Sequence, residues 1–206
     1  MGYRTEQEKF WSEEFGEEYI KRNNNLNNNA NNIALFAKIL SKTDSVKSVI
    51  EFGANIGLNL QAIHSLLPLA EYSALEINKK AVTELKQYSW IKNVYSQSIH
   101  DFQIDYQRDF TLIKGVLIHI NPSYLSDVYE ILYKTSKRYI CIAEYYNPTP
   151  VEVDYRGHKE KLFKRDFCGE FLNKYNNVRL VDYGFVYHKD NYFPQDDITW
   201  FLLEKE

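Results

Sequence analysis

The order of predicted secondary structure places the chain in the α/β class, with a doubly wound, mostly parallel sheet of seven strands. Three observations carry this prediction. Strand and helix patterns alternate from residue 46 to about residue 175, which implies right-handed crossovers and helices on both sheet faces. Two further strand patterns follow with no helix between them, so one antiparallel strand is expected near the C-terminal edge. The 206 residues, 44% of them hydrophobic, suffice for such a core.

Aromatic residues recur at helical spacing near the N-terminus and predict a helix over 6–22. The rings expected on its one face are those of Phe10, Trp11, Phe15 and Tyr19. This helix either packs on the domain or serves as a lid over a pocket. Residues 23–32 include eight asparagines and are interpreted as a polar connector or a helix start. Residues 1–45 are therefore expected to form a helical cap, and residues 46–206 the main domain.

The remaining elements follow from hydrophobic runs, turn residues and capping residues. The predicted strands lie at 46–52, 71–77, 94–99, 110–117, 138–145, 178–187 and 198–204. The predicted helices lie at 33–40, 58–67, 79–88, 122–136 and 166–175. Pro68 ends one helix, Asn78 caps the next, and Asn121 with Pro122 begins another. Residues 147–165 contain two prolines and a glycine and are expected to form a long loop.

The turn after the first strand reads Glu51-Phe52-Gly53-Ala54-Asn55-Ile56-Gly57. A dinucleotide-binding turn has glycine at offsets 0, 2 and 5. Here Gly53 is followed by Asn55 at offset 2 and Leu58 at offset 5, so the match is poor. The turn fits the E/D-x-G-x-G-x-G pattern of S-adenosylmethionine (SAM) enzymes better, with Asn55 in place of the middle glycine. Asparagine tolerates positive φ better than most residues, which makes this replacement physically reasonable.

Two acidic residues flank this turn and favour a cationic ligand. A pyrophosphate binds at a helix N-terminus that has no neighbouring anion. SAM instead carries a sulfonium and an ammonium group, which Glu51 would attract. Glu76 ends the second predicted strand, 23 residues after Gly53, where an acid can accept hydrogen bonds from ribose hydroxyls. The pair of acids with the turn between them therefore predicts SAM as the ligand.

These motifs resemble those of class I SAM-dependent methyltransferases, which have a Rossmann-like fold, over residues from about 46 to 204. The longer strings FWSEEFGEEYIKRN, EFGANIGLNLQAI, KGVLIHINP and AEYYNPTPVEVDYRGHKEKLFKRDF resemble the methyltransferase family associated with pseudaminic acid biosynthesis. The resemblance implies SAM as cofactor. The cofactor-binding residues that it implies are Glu51, Phe52, Gly53, Ala54, Asn55, Gly57, Glu76, Ile77, Ser98, Ile99, Lys114, Gly115 and Val116.

Candidate catalytic residues follow the carboxyl ends of the predicted strands, where ligands bind in open α/β sheets. His119 follows the fourth strand and Glu144 ends the fifth, so either could take the proton of a hydroxyl acceptor. A structural role for the histidine remains the alternative. Six basic residues lie within 155–165, which indicates either a solvated loop or a clamp for an anionic acceptor.

The resemblance implies that this acceptor is a small acidic sugar or its nucleotide-linked form. The residues expected to bind it are Tyr145, Tyr146, Asn147, Tyr155, Arg156, His158 and Lys159. Two other hypotheses stay open: a non-catalytic module that binds SAM or a nucleotide, and a nicotinamide oxidoreductase, which the missing glycine disfavours.

The overall composition limits partners and location. The net charge of −3 argues against a nucleic-acid or membrane-coating role. No run of about 18 apolar residues and no secretory signal pattern is present, so neither a membrane span nor secretion is expected. Two widely spaced cysteines suit a reducing cytoplasm. The acidic and histidine residues show no spacing typical of a metal site, so no metal is expected. The oligomeric state is left open.

Overall fold

The computed structural model describes residues 2–23 and 27–206, so residues 24–26 of the asparagine-rich connector lie outside the described residues. The strands are β1 Ser48–Phe52, β2 Glu71–Glu76, β3 Ile91–Ser96, β4 Arg108–Lys114, β5 Ser136–Glu144, β6 Val151–Glu152, β7 Phe163–Lys164, β8 Val178–Val186 and β9 Ile198–Lys205. The helices are α1 Glu6–Ser12, α2 Glu14–Asn23, α3 Asn27–Leu40, α4 Leu58–Leu66, α5 Lys79–Leu85, α6 Leu125–Thr135 and α7 Phe167–Lys174.

Seven strands form one sheet in the order β3-β2-β1-β4-β5-β9-β8. Strands β1 to β5 pair in parallel, whereas β9 is antiparallel to both of its neighbours. This arrangement confirms the predicted α/β fold with one antiparallel strand near the C-terminal edge. The strand order reverses between β1 and β4. Ligands bind at such a reversal, in the crevice outside the carboxyl ends of the strands.

Helices cover both faces of the sheet and bury two hydrophobic layers. One layer lies under α3 and α4 and includes Phe36, Leu60 and Trp200, all fully buried. The other lies under α6 and α7 and includes Phe52 and Phe171. Burying an aromatic side chain of this size typically removes 150–250 Å² from water, so these layers hold the strand ends in fixed positions.

The helix predicted over 6–22 is in fact two helices, α1 and α2. Thr5 and Glu8 form a capping box at the start of α1, and Glu13 is extended (φ −106°, ψ −154°) between the two helices. The chain then folds back so closely that a Cβ atom added at Gly16 would lie 2.0 Å from the carbonyl oxygen of Trp11. The glycine therefore permits the close packing of α2 against α1, a tertiary contact that helical spacing does not reveal.

Several other boundaries differ from the sequence-based expectation, and α3 begins at Asn27, within the asparagine-rich stretch, rather than at residue 33. Strand β3 spans Ile91–Ser96 rather than 94–99, because it is a partly exposed edge strand with a weak hydrophobic pattern. The loop over 147–165 contains the short β6–β7 hairpin. The helix expected from Pro122 begins as a 3₁₀ turn, Pro122–Tyr124, before α6 starts at Leu125. None of these changes moves the carboxyl end of β1, β2, β4 or β5 by more than a few residues.

Candidate active site

A cavity of about 510 Å³ opens at the carboxyl ends of the parallel strands. Its floor is formed by the turn after β1 and by the ends of β2 and β4. Its roof is formed by α1 and α2, through residues that include Gln7, Trp11 and Tyr19. Volumes of 300–1,000 Å³ are typical of small-molecule sites. The cavity therefore lies where the strand order predicts a ligand, and the N-terminal helices cover it.

The turn after β1 adopts the conformation that its sequence pattern predicts. Gly53, Asn55 and Gly57 all have left-handed backbone angles, with φ of 72°, 48° and 83°. A Cβ atom at Gly53 would lie 2.5 Å from the Cγ2 atom of Val116, so only glycine fits there. Asparagine is among the residues that best tolerate this region. Because Gly53 has no side chain, the backbone of the turn itself forms part of the cavity floor.

Glu76 closes this turn from the end of β2. Its Oε2 accepts a hydrogen bond from the backbone N–H of Asn55 at 2.8 Å, and its Oε1 accepts one from the N–H of Asn78 at 2.7 Å. The carboxyl is buried, and desolvation raises its pKa against these hydrogen bonds. Each carboxylate oxygen has a further lone pair. Glu76 lines the cavity and can accept hydrogen bonds from a ligand there.

Glu51, in β1, lies outside the cavity lining and is fully buried. Its Oε1 accepts a hydrogen bond from Asn59 Nδ2 at 2.6 Å, and its Oε2 has no hydrogen-bond partner among the described residues. Burial raises the pKa of this carboxyl to about 8, although Lys114 opposes the change. An unpaired buried carboxyl oxygen usually marks an unfilled functional role. A cationic group bound nearby would lower this raised pKa again and favour the carboxylate.

Glu144 ends β5 and holds the turn that follows β4. Its Oε1 accepts hydrogen bonds from the backbone N–H groups of Val116 and Leu117, each at 2.9 Å. Burial raises its pKa to about 7 despite these bonds. The same turn continues into the 3₁₀ segment Leu117–His119. Glu144 therefore fixes the backbone that carries His119, in addition to lining the cavity.

His119 lines the cavity and makes its hydrogen bond through Nδ1. Its Nδ1 lies 2.5 Å from the carbonyl oxygen of Lys161. A carbonyl only accepts, so Nδ1 carries the hydrogen and Nε2 has the free lone pair. Burial lowers the pKa of the imidazole to about 4, so the ring is neutral near pH 7. The rings of Trp11 and Tyr155 pack at centroid distances of 4.5 and 5.1 Å.

Arg156 lies at the tip of a tight turn between Tyr155 and His158. The two flanking residues exchange backbone hydrogen bonds of 2.9 and 3.0 Å, and both Arg156 (φ 52°) and Gly157 (φ 85°) are left-handed. Arg156 lines the cavity and forms no ion pair with any residue that the structure describes. By contrast, Arg165 is paired with Glu170 at 2.6 Å.

The structure brings most of the sequence-predicted site residues to one cavity. Those that line it are Gly53, Ala54, Asn55, Glu76, Ile77, Ser98, Ile99, Lys114, Gly115, Val116, His119, Glu144, Tyr145, Tyr155 and Arg156. Those outside its lining are Glu51, Phe52, Gly57, Tyr146, Asn147, His158 and Lys159.

The residues outside the lining have other neighbours. Phe52 packs on Phe102 in the core, and Gly57 begins α4. Tyr146 is exposed, and Asn147 donates to the carbonyl oxygen of Thr149. The His158 ring contacts Phe10 of α1, and Lys159 lies beside Glu152 and Asp154 on the outer surface of the loop.

Several cavity residues escaped the sequence analysis. They are Gln7, Asn31, Asn32, Asn59, Asn78, Gln195 and Asp196. Asn31 joins α3 to the β8–β9 loop through hydrogen bonds with Pro194 and Gln195. Within an asparagine-rich stretch no single asparagine stands out, so the sequence offers no signal for this contact. Asn59 lies in the first turn of α4 and donates to Glu51, a contact that sequence spacing does not reveal.

Two further properties of the described residues concern metals and membranes. In residues 2–23 and 27–206, no three His, Cys, Asp or Glu side chains group closely enough to hold a metal ion. No helix in the described part of the chain combines the length and apolar character needed to cross a bilayer.

Comparisons with known proteins extend the fold assignment. No protein-family model and no curated protein sequence matches the chain. Among solved structures, the magnesium protoporphyrin IX methyltransferase of Synechocystis PCC 6803 with bound SAM is similar (TM-score 0.68, 13% identity, 100% of both chains). So is the 1,6-didemethyltoxoflavin-N1-methyltransferase of Burkholderia thailandensis with bound S-adenosylhomocysteine (SAH) (0.75, 11%, 100% of this chain and 91% of that one).

The plantazolicin methyltransferase BpumL, in complex with SAH, is similar as well (TM-score 0.66, 13% identity, 97% of this chain and 94% of that one). At such identities these similarities show a shared fold, the Rossmann-like fold of class I SAM-dependent methyltransferases. The three neighbours are named for different compounds, which are magnesium protoporphyrin IX, plantazolicin and 1,6-didemethyltoxoflavin. A common fold therefore leaves the acceptor to be argued from this chain's own cavity.

Proposed function

We propose that the protein is a SAM-dependent methyltransferase that acts on a small acidic sugar of the pseudaminic acid type or on its nucleotide-linked form. The observation that carries the first part is the left-handed turn of Gly53, Asn55 and Gly57 between two buried acids. It lies at the strand-order reversal of a fold whose solved neighbours hold SAM or SAH. The acceptor part rests on Arg156 and on the sequence resemblance.

The residues around the turn fit SAM better than a dinucleotide. Glu76 can accept hydrogen bonds from two ribose hydroxyls while the N–H groups of Asn55 and Asn78 hold it in place. The unpaired Oε2 of Glu51 suits a positive charge nearby. In their carboxylate forms both acids would repel a pyrophosphate at the same turn, whereas a cationic ligand favours those forms. The proposed binding set therefore centres on these two acids, with Gly53 allowing close approach of the backbone.

When bound, SAM supplies an electrophilic methyl group on a sulfonium, so the leaving group is already activated. The chain's own residues must hold the acceptor in line and exclude water. For a hydroxyl acceptor, His119 Nε2 is the group that can take the proton, because Nδ1–H is held by the Lys161 carbonyl. Both carboxylate oxygens of Glu144 already accept backbone N–H groups, which makes Glu144 the residue that positions the His119 turn.

Arg156 is the residue proposed to bind the anionic end of the acceptor. Of the basic residues in 155–165, it is the one whose side chain lines the cavity. Its guanidinium matches a carboxylate or phosphate in bidentate geometry. A left-handed arginine costs roughly 1–2 kcal/mol relative to an ordinary conformation. Arg156 therefore has an unfavourable backbone conformation at an exposed turn beside the cavity. Such a residue is better explained by a binding role than by a contribution to stability.

The acceptor proposal predicts opposite effects of Arg156→Asn on stability and on binding. Asparagine suits the left-handed conformation, so Tm is expected to stay equal or rise. The KM for pseudaminic acid or its nucleotide-linked form should rise at least about tenfold, because ground-state binding of the anion is lost, while SAH affinity stays unchanged. Methyl transfer from labelled SAM, read by mass spectrometry, measures this. Lys159→Asn, on the outer surface of the same loop, is the matched control.

Two outcomes would reject parts of the proposal. Equal transfer to neutral and acidic sugars, with an unchanged KM in Arg156→Asn, would remove the acidic acceptor. SAH binding without transfer to any of these sugars would favour a SAM-binding module that performs no methylation of this class of compound.

A further inference from the structure

Helix α1 carries two buried polar atoms that have no partner among the described residues. Gln7 is 5% exposed, and its Nε2 donates a hydrogen bond to the carbonyl oxygen of Glu160 at 2.9 Å. That contact fixes the orientation of the amide and leaves Oε1 without a partner. Trp11 follows one helical turn later, and its indole Nε1–H is likewise buried and unpaired. One free acceptor and one free donor therefore lie on the same face of one helix.

Such a pair is costly in a closed structure. A buried polar group without a partner costs about 1–3 kcal/mol, and most buried groups in native proteins are satisfied. Both residues contribute to the cavity lining, although the two atoms themselves have no exposed surface and the Trp11 ring packs among neighbouring aromatic rings. A ligand in the cavity that contacted both atoms would remove this penalty, with a small outward shift of α1 to admit it.

The surroundings of the two atoms belong to the acceptor end of the cavity. The Trp11 ring packs on His119 and lies 6.4 Å from the Tyr155 ring, and Gln7 is bonded to the loop that carries Arg156. A different residue of α1, Glu8, faces the other way and hydrogen-bonds Ser98 after β3. The helix therefore reaches both ends of the cavity, with Gln7 and Trp11 at the end opposite Ser98.

We infer that α1 recognises an uncharged hydrogen-bonding group of the acceptor, one that donates to Gln7 Oε1 and accepts from Trp11 Nε1–H. This inference rests on the proposed function, in which the acceptor binds beside His119. A carbonyl oxygen at Gln7 repels an anion, and an indole N–H at Trp11 repels a cation, so the pair selects a neutral group. A hydroxyl and a secondary amide both have the required donor and acceptor. Arg156 and α1 would then bind different parts of one acceptor molecule.

The Trp11 indole offers a direct spectroscopic test. The chain has three tryptophans, so a ¹⁵N-labelled full-length sample gives three indole N–H signals, and Trp11→Phe assigns one of them. N-methylacetamide and ethylene glycol are titrated separately as the amide and hydroxyl probes. Acetate and methylammonium are the charged controls. Spectra are recorded for the free protein and for the protein saturated with SAH.

We expect a saturable shift of the Trp11 signal with at least one neutral probe, and no saturable shift with either charged probe. In Gln7→Met the apparent affinity for that probe should fall at least fivefold, while Gln87→Met, an exposed glutamine, leaves it unchanged. An unaltered Trp11 signal without probe checks that Gln7→Met keeps α1 in place.

Absence of any saturable shift with both neutral probes would overturn the inference, as would equal responses to acetate or an unchanged affinity in a folded Gln7→Met. Failure of the proposed function would appear separately, as the absence of SAH binding. The two results can be distinguished because the probe titration is also recorded for the protein without SAH.

Discussion

Burial sets the protonation state of the ionisable residues around the cavity. Desolvation raises the pKa of Glu51 to about 8 and of Glu144 to about 7, and it lowers the pKa of His119 to about 4. All three groups are thus pushed toward their neutral forms. For His119 the consequence is a neutral imidazole that can accept a proton near pH 7, with a basicity below that of an exposed imidazole.

His119 is predicted to be required for the rate and not for cofactor binding. His119→Ala should lower kcat by roughly a hundredfold or more on a hydroxyl acceptor, with SAH affinity unchanged. Because the pKa of the His119 imidazole in the folded protein is about 4, this ring stays neutral between pH 8 and pH 6. Over that range the wild-type kcat/KM should therefore show no loss from its protonation. The measurement is a pH profile of labelled-methyl transfer. A full rate in His119→Ala would assign the ring a structural role.

Glu51 is predicted to make the cofactor-free protein less stable as pH rises. Its pKa is about 8 when folded and near 4.5 when unfolded, so the folded state binds the extra proton. Stability therefore falls from about pH 4.5 to pH 8, by up to roughly 1.4 kcal/mol per pH unit. Glu51→Gln removes this dependence, so its Tm advantage over wild type should grow from pH 5 to pH 9. Exposed Glu84→Gln is the control, and a pH-independent difference would contradict the prediction.

At the scale of elements, α1 and α2 are held over the cavity by a few polar contacts. Asn78 Nδ2 donates to the Trp11 carbonyl at 3.2 Å, Glu17 pairs with Lys80, and Arg4 pairs with Asp101 at 3.3 Å. Exposed ion pairs of this kind contribute at most about 1 kcal/mol each. Rings of both helices also pack on His119 and Tyr155, so opening would break aromatic contacts as well as these polar ones.

Residues 6–22 are predicted to close more firmly over an occupied site. Amide hydrogen exchange in this segment should slow when SAH is added, while exchange in α6, which contributes no residue to the cavity lining, stays unchanged. Exchange measured by mass spectrometry resolves both segments.

Gly16→Ala is the matched variant for this experiment, because its new Cβ atom would meet the Trp11 carbonyl at 2.0 Å and Asn78 at 2.8 Å. It should lose the protection that SAH confers. Protection that is complete before SAH is added, and unchanged afterwards, would show a permanently packed helix pair instead.

The sequence predicts elements well where local patterns and tertiary structure agree. The glycine turn, Glu76 at the end of β2 and the final antiparallel strand all follow from spacing and connection rules. The break at Glu13 does not, because it depends on α2 packing back on α1. The roles of Asn31 and Gln7 are equally invisible, since each depends on a partner more than 150 residues away in sequence.

At the scale of the whole molecule, the cavity is built from two kinds of segment, the carboxyl ends of the parallel strands and the helices and loops that cover them. The turn after β1 and the end of β2 belong to the parallel sheet, which solved methyltransferases named for different compounds share. The proposed acceptor side is built from the N-terminal helices and from the loops after β4 and β5.

Calorimetric titration of SAH into the full-length protein tests the central claim most directly. We predict micromolar binding of SAH and no comparable binding of NADH. Glu76→Ala should weaken SAH binding about ten- to a hundredfold, the effect of losing one to two strong hydrogen bonds to a buried acid, while exposed Glu84→Ala leaves it unchanged. Tight NADH binding without a response to SAH, or wild-type SAH affinity in a folded Glu76→Ala, would contradict the account.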